Sequence, residues 1–346
     1  MKYYINIIAT SKFDGAFNAT SKAREDVEKT LLSVGYIEER VYWKTFVEGE
    51  SQVTRFFNKF MRPFSMSRQS SAIAKKLKPG DKAIFQYPDN SKCLSQCVKP
   101  FASRGVIVEF LIHDIPSIRY TKSISKDEVS LLNMADVLYV HTDVMKSYLK
   151  SNGVKSKMKV ITLFDYYSDD LLTDDNSTNV VAFAGNLSKS IFLRKWINSN
   201  QSVNWQLHLY GLINDLDISQ NTNVTYKCAF TPNHVGAVSA NWGLVWDGND
   251  FDTCSGVLGE YLKFNSSHKV SLYLTCGIPV ICWSKSALAP WIIDNKLGIA
   301  VDSMSQIDER LKSISTVEYN LIKERCKIVS SKLRDGYFLK KQLEND

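Results

Sequence analysis

The sequence predicts an α/β protein made of two doubly wound domains in tandem, each a parallel sheet with helices on both faces. Three observations carry the prediction. Short apolar runs alternate with stretches of helical periodicity through both halves of the chain. An acidic, polar segment without clear periodicity, residues 165–179 (DYYSDDLLTDDNSTN), interrupts that alternation near the middle. The length, 346 residues, suits two domains of ~100–200 residues each.

In the first domain, residues 1–165, a buried strand over 2–9 leads through a polar loop with Gly15 into a helix over 21–33. Ser21 reads as its N-cap, and Ala23, Val27, Thr30, Leu31 and Val34 fall at helical spacing. A strand lies within 36–47. Residues 53–77 are helical in composition and broken at Pro63. A strand over 82–87 ends at Pro88, and then come a helix over 92–103, a strand over 106–112, a helix over 126–134, a strand over 137–141, a helix over 144–151 and a strand over 159–164.

The linker is placed at 166–179, and the alternation restarts in a second domain, 180–325. Its strands are read at 180–184, 205–210, 224–227, 243–246, 279–283 and 298–301, with helices over 189–197, 233–240 and 287–294. Between the strands at 243–246 and 279–283 lie an acidic loop, an irregular Asn/Ser segment and a short helix that begins at His268. Helices fill the C-terminus, and those of 326–346 are free to pack back on the first domain. Two such domains leave one natural place for a ligand, the cleft at the carboxyl ends of both sheets.

The composition, 44% hydrophobic and 23% charged, is that of a globular protein with a sizeable core. No run approaches the ~20 apolar residues that cross a bilayer, and the apolar run at 3–9 is shorter than a signal-peptide core. The expected location is therefore the cytoplasm. Seven cysteines, odd in number and without CxxC or Cys/His ligand spacing, are read as buried free thiols. The net charge of +7 is uneven, with much of the excess between Arg55 and Lys82, and it points to an anionic partner or surface. Arg55, Lys59, Arg62, Arg68, Lys75, Lys76 and Lys78 alternate there with Phe56, Phe57, Phe60, Met61, Phe64 and Met66. The aromatics suit inward packing, a subunit interface of a homo-oligomer, or contact with the inner face of a membrane as a peripheral protein.

Several polar groups follow predicted strands. Thr10, Ser11 and Lys12 follow the first, and His113-Asp114 follow the strand over 106–112. Gly185-Asn186-Leu187-Ser188-Lys189 form a turn resembling a small phosphate loop, since glycine permits close backbone approach and lysine supplies charge. A plain strand-to-helix turn fits it as well. Tyr210-Gly211 end the strand over 205–210. Asp114 suits either an acid/base role or a cap on the turn before Pro116. His268 and Lys269 stand where a loop enters a helix, and helix N-termini attract anions; the anion assigned is a sugar nucleotide's diphosphate. His141, His208 and His234 have no metal-ligand spacing.

With these residues in hand, the chain resembles bacterial glycosyltransferases of the GT-B fold, two facing Rossmann-like domains. The group includes galactofuranosyltransferases of polysaccharide assembly and the glucosyltransferase that adds the second sugar to serine-rich-repeat adhesins. The matching stretches are 21–27 (SKAREDV), 110–119 (FLIHDIPSIR), 183–189 (FAGNLSK), Leu209-Tyr210-Gly211 and above all 259–283 (GEYLKFNSSHKVSLYLTCGIPVICW).

The resemblance implies a nucleoside-diphosphate sugar, UDP-linked, bound by the second domain. Lys269, Asn186 and Lys189 would face the diphosphate, Asn265, His268 and Ser271 would line the nucleotide side, and Tyr210 would close the pocket. The first domain would receive a glycan acceptor on a lipid carrier or protein, edged by Thr10, Ser11 and Gly15. Where many relatives of this fold carry an acidic ribose-gripping residue, this helix offers Ser271 and Tyr273.

Members of the group it resembles generally invert the anomeric centre, which needs one general base, here Asp114 or its neighbour His113. With lysines and a helix N-terminus on the leaving group, no metal and no other cofactor is required. Asp250-Phe251-Asp252 matches a DxD metal signature of another transferase class only superficially, and a solvated loop explains the cluster of Asp247, Asp250 and Asp252. The rival readings are a sugar-nucleotide epimerase and a non-catalytic adaptor of a transferase complex; nucleic acid is not an expected partner.

Overall fold

A computed structural model describes residues 1–9, 19–45, 51–89, 92–170, 179–199, 201–213, 215–219 and 221–344. The chain divides into two compact units, the first comprising Met1–Gly15 and Val27–Ile161, the second Ala16–Asp26 and Thr162–Asn345.

The first unit holds a six-stranded sheet in the order β2-β1-β3-β4-β5-β6. Its strands are β1 (Lys2–Ala9), β2 (Ile37–Trp43), β3 (Lys82–Tyr87), β4 (Ile107–Ile112), β5 (Val137–Val140) and β6 (Lys157–Val160). Every pairing is parallel. Strands covered on both faces must be apolar along their whole length, and VLYV of β5 is buried at each position. Glu109 of β4 is a buried exception; Tyr36 and Tyr139 donate to its carboxyl group, and burial raises its pKa.

The helices are α1 (Ala19–Ser33), α2 (Gln52–Ala74), α3 (Leu94–Ala102), α4 (Pro116–Thr121), α5 (Lys126–Leu132) and α6 (Asp143–Ser151). Two expectations are corrected here. The first helix starts at Ala19, so Ser21 is an interior residue and not the N-cap. Helix α2 runs through Pro63 without a break. The carbonyl of Lys59, which loses its usual donor to the proline, lies on an exposed turn where water can replace it. The turn around Pro116 is the start of helix α4, and Pro116 at its N-terminus supplies the fixed φ that starts it.

The second unit repeats the plan with β7 (Val180–Ala184), β8 (Gln206–Tyr210), β9 (Val224–Tyr226), β10 (Trp242–Val245), β11 (Val280–Trp283) and β12 (Gly298–Val301), all parallel, in the order β12-β11-β10-β7-β8-β9. This is the doubly wound order, in which the chain reverses its direction of travel across the sheet between β7 and β10. Its helices are α7 (Ile191–Asn198), α8 (Gly256–Tyr261), α9 (His268–Thr275), α10 (Ala289–Asp294), α11 (Ile307–Lys312), α12 (Thr316–Arg334) and α13 (Tyr337–Glu344). The core includes Trp196 stacked on Trp205, ring centroids 5.0 Å apart. All seven cysteines are unpaired, and only Cys228 is exposed.

The helix expected over 233–240 is reduced to a single 3-10 turn, Val235–Ala237. Gly236 and two β-branched valines disfavour a helix there, and the Gly236 N–H donates to Asp170 instead. Helix α8 was not foreseen, because its sequence, GVLGEY, has glycine at two of six positions.

Helices α12 and α13 belong to the second unit. Helix α12 packs on α9, where Ser330 and Arg334 both donate to the Thr275 carbonyl. The first half of α1 also falls in this unit. Lys22 and Asp26, one turn apart, form a buried ion pair of 2.6 Å that holds both backbone groups of Tyr167. Burial lifts the Asp26 carboxyl to about 6. A buried pair of this kind adds little net stability, yet loss of either partner is costly.

The start of α13 is fixed by Asp165, whose carboxylate accepts from the N–H groups of Phe338 and Leu339 at 3.0 and 2.8 Å. Burial outweighs those two bonds and raises Asp165 from 3.8 to about 7. The folded protein therefore keeps a proton that the unfolded chain has released, and stability should fall as pH rises from about 4 to about 7. Asp165 contributes at most about 1.4 kcal/mol per pH unit to that slope, with Asp26 adding in the same direction. In Asp165→Asn, urea unfolding across this range should show a shallower decline, and an unchanged slope would remove Asp165 as its source.

The contact of α9 with the sheet yields a second expectation. Gly243 of β10 lies under the ring of Tyr273, and a methyl group at 243 would sit 2.2 Å from the ring. Gly243→Ala should destabilise the protein by about 1–3 kcal/mol in urea unfolding, as overpacked cores do; no loss would mean that the ring can move aside.

Candidate functional site

The reversal between β7 and β10 opens a crevice at the carboxyl ends of those two strands, and three turns line it. After β7 the chain turns at Gly185 and Asn186 into a 3-10 turn, Leu187–Lys189. After β8 it turns at Gly211, whose φ of +144° suits only glycine. A methyl group at 211 would lie 2.0 Å from the Gly185 carbonyl oxygen, so the two turns touch through bare backbone. After β10 it turns at Asp247 and Gly248, where a side chain on Gly248 would meet the Ser255 carbonyl at 2.2 Å.

Lys269, in the first turn of α9, reaches into this crevice. Its Nζ donates to Asp247 Oδ2 at 2.8 Å and to the Trp246 carbonyl at 3.3 Å, and lies 5.3 Å from the Phe183 ring centroid. Its side chain is 16% exposed, so the charge is partly withdrawn from water while still accessible. The absence of a side chain on Gly185 makes room for it, since a methyl group there would stand 3.3 Å from Lys269 Cε. Ser267 makes no side-chain cap on α9, leaving the first backbone N–H groups of the helix free of that competitor.

Asp247, read as part of a solvated acidic loop, is thus the partner of the central lysine. The rest of that loop is tied down as well. Asp250 pairs with Lys195 at 2.8 Å, which holds its carboxyl below the usual range, and its carbonyl accepts from Trp246 Nε1. Asp252 accepts from Ser303 at 2.9 Å. The DxD carboxylates are committed to these contacts, and no group of three or more metal-ligating side chains occurs among the described residues.

The remaining donor-side residues divide. Lys189 and Asn186 are exposed on the turn after β7, and Asn186 Oδ1 accepts from the Lys189 N–H at 3.1 Å, capping the 3-10 turn. Asn265 Oδ1 is buried with no hydrogen-bond donor among the described residues. The His268 ring lies against those of Phe164 and Tyr166, centroids 5.3 and 5.7 Å away. Lys22 Nζ also lies over the Tyr166 ring, 4.9 Å from its centroid.

Two assignments are overturned. Ser271 is fully buried and donates to the Phe164 carbonyl at 2.6 Å, so it lines no open surface. Tyr210 is buried, and its hydroxyl both donates to the Ser239 carbonyl and accepts from the Ser239 N–H, each at 3.1 Å. Such a side chain is a fixed strut, not a lid. Tyr273 is likewise enclosed, so neither residue offered by this helix in place of an acidic one reaches a ribose.

In the first unit, His113 and Asp114 follow β4. His113 is buried and its Nε2 meets Gln86 Oε1 at 2.6 Å; Gln86 in turn donates to the Tyr4 hydroxyl at 2.7 Å, a chain of polar groups across β4, β3 and β1. Asp114 is more open and accepts from Arg119 on α4. That helix is clamped by Glu128, which accepts from the Ser117 N–H at 2.9 Å and from the Tyr87 and Ser117 hydroxyls. Asp114 is therefore not the cap of α4 but the ion-pair partner of its arginine. Thr10, Ser11 and Gly15 lie outside the described residues.

Two six-stranded parallel sheets in one chain, the second with a lysine at its switch point, are two Rossmann-like domains, the architecture of GT-B glycosyltransferases. Residues 2–163 match the family model described as Glucosyltransferase 3-like, N-terminal domain, and residues 181–345 match Glucosyltransferase 3-like, C-terminal domain. The chain belongs to the glucosyltransferase 3-like family. Beta-1,6-galactofuranosyltransferase WbbI of Escherichia coli (strain K12) is 35% identical over 240 residues, 68% of this chain and 69% of that protein. Glucosyltransferase 3 of Streptococcus gordonii is 26% identical over 333 residues, covering 93% and 92%. The structure of alpha,alpha-trehalose 6-phosphate synthase from Burkholderia multivorans superposes with a TM-score of 0.62 at 11% identity, covering 99% of this chain and 95% of that one. These matches are to transferases, and neither the epimerase nor the adaptor reading is favoured. No helix among the described residues is long and apolar enough to cross a membrane.

Proposed function

We propose that the protein moves a hexose, galactofuranose, glucose or galactose, from a UDP-linked sugar to a hydroxyl of a glycan acceptor on a lipid carrier or protein. Transfer inverts the anomeric centre and uses no metal. The observation that carries the reading is Lys269, a half-withdrawn cation at the switch point of the second sheet, at the start of α9 and beside side-chainless Gly185.

A departing UDP carries developing negative charge on its diphosphate. Lys269, exposed Lys189 and the uncapped first turn of α9 supply fixed positive charge for it, so a divalent cation has no necessary part. The buried acceptor of Asn265 and the ring of His268, against Phe164 and Tyr166, suit the nucleoside, an N–H or hydroxyl donor for the first and a flat face for the second.

The acceptor falls to the first unit, with Asp114 as the general base and Arg119 holding its carboxylate in place. Arginine keeps its proton throughout, so it orients the base without competing for the acceptor's proton.

Two measurements test this. In Lys269→Ala, the dissociation constant for UDP, measured by calorimetry in buffer with EDTA, should rise about tenfold or more, since a charge-assisted contact is lost. An unchanged constant, or no wild-type binding until manganese is added, would sink the metal-free site. In Asp114→Asn, transfer in a panel of UDP-hexoses and glycan acceptors should fall by about 100-fold or more while UDP binding is retained. Near-normal turnover would pass the role of base to another group.

A further inference from the structure

The first four turns of α2 leave their aromatic stripe unpacked in the first unit. Val53, Phe56, Phe57, Phe60 and Phe64 are each 60–79% exposed. At 3.6 residues per turn these five fall on one stripe about 100° wide. Arg55, Lys59 and Arg62 fall on the opposite side of the same turns. Arg62 anchors the helix, with its guanidinium 4.4 Å from the Trp43 ring centroid and a bond to the Lys44 carbonyl. Arg55 and Lys59 make no ion pair with a carboxylate among the described residues, and both are exposed. Further along, Met66, Ser70, Ile73 and Ala74 are buried, which roots the second half of the helix in the fold.

An ordinary surface helix turns its apolar side inward; here the first half of α2 turns it outward. The cost of leaving four phenylalanines in water implies a cover. Charge decides between the candidate covers. Residues 51–78 contain seven Lys or Arg, at 55, 59, 62, 68, 75, 76 and 78, and no Asp or Glu. A second copy of the same helix would bring a second set of these cations to the contact with no carboxylate to meet them. A sheet of anionic headgroups over acyl chains satisfies both sides at once, with phenylalanines in the acyl boundary and cations among the headgroups. The charges also prevent α2 from crossing a bilayer, in line with its absence among spanning candidates.

We propose that the first half of α2 is an interfacial helix that docks the enzyme on an anionic lipid bilayer, Phe56, Phe57, Phe60 and Phe64 entering the membrane and Arg55, Lys59 and Arg68 engaging the headgroups. The inference is independent of the donor assignment, because vesicle binding requires no turnover.

The test is sedimentation of the full chain with phosphatidylcholine vesicles, with or without phosphatidylglycerol. Wild type should bind the mixed vesicles at least about tenfold more tightly than the neutral ones, and less tightly at high salt. R55E/K59E should weaken binding to the mixed vesicles about twentyfold or more, at about fivefold per cation. F56S/F57S/F60S/F64S, which leaves the buried half of α2 intact, should lower it at least about tenfold with unchanged circular dichroism and UDP affinity. Indifference of wild type to lipid charge, failure to bind either vesicle, or full binding by the serine variant would each overturn the proposal. So would a fall in molar mass by light scattering in the serine variant without vesicle binding by wild type, which would make the cover a second copy.

Discussion

The donor side of this protein depends on one residue being absent and another being large. Gly243 in the middle of β10 has no side chain, and the ring of Tyr273 occupies the space, close enough that any methyl group would collide with it. The buried Tyr273 hydroxyl accepts from the Ala184 N–H at 2.8 Å, at the end of β7. Helix α9 is thereby locked to two strands, β10 through packing and β7 through a hydrogen bond, and these are the strands between which the sheet reverses. Because Lys269 lies one turn before Tyr273, the same lock sets where its ammonium group falls.

Asp247 completes that placement. A lysine side chain has several freely rotating bonds and gains little from being merely near an anion; fixing it before the ligand arrives removes that cost from binding. Here the Nζ is held by a carboxylate and a carbonyl on the turn after β10. That turn is itself stiffened by Gly248, by Gly259, where a side chain would meet the Cys254 backbone at 2.4 Å, and by the contacts of Asp250 and Asp252. The carboxylates that resemble a metal motif therefore work at one remove, as parts of the frame that aims a cation.

The alternation of apolar runs and helical patterns was enough to foresee both sheets, because strands buried on two faces leave a nearly continuous hydrophobic signature and their connections a helical one. It failed where local propensity and tertiary demand part: at Val235–Ala237, where a predicted helix shrinks to one turn, and at α8, a helix rich in glycine because the β10 turn packs against it. Among site residues, His268 and Lys269 were legible from a loop entering a helix. Ser271 was misassigned because helical spacing does not tell which face is covered, and the Phe164 carbonyl that covers it lies 107 positions away. Asp247 was missed for a related reason: its tie to Lys269 spans 22 residues, and nothing in their spacing marks the pair.

The two carboxylate–cation pairs at strand ends, Asp114 with Arg119 and Asp247 with Lys269, look alike and yet suit opposite tasks. Lysine presents a compact charge with three donors, and with two of its contacts already made to protein it can still turn a donor toward a phosphate oxygen. Arginine cannot release its proton and holds a carboxylate at a set angle. The carboxylate beside it is held by Arg119 through Oδ2. Exchanging the cations would spoil both arrangements, since a lysine beside Asp114 would lose the planar grip and an arginine at 269 would need space that Phe183 and the Gly185 turn already fill. On the proposed assignment, the type of cation, more than the presence of charge, separates the group that would stabilise a leaving group from the group that would remove a proton.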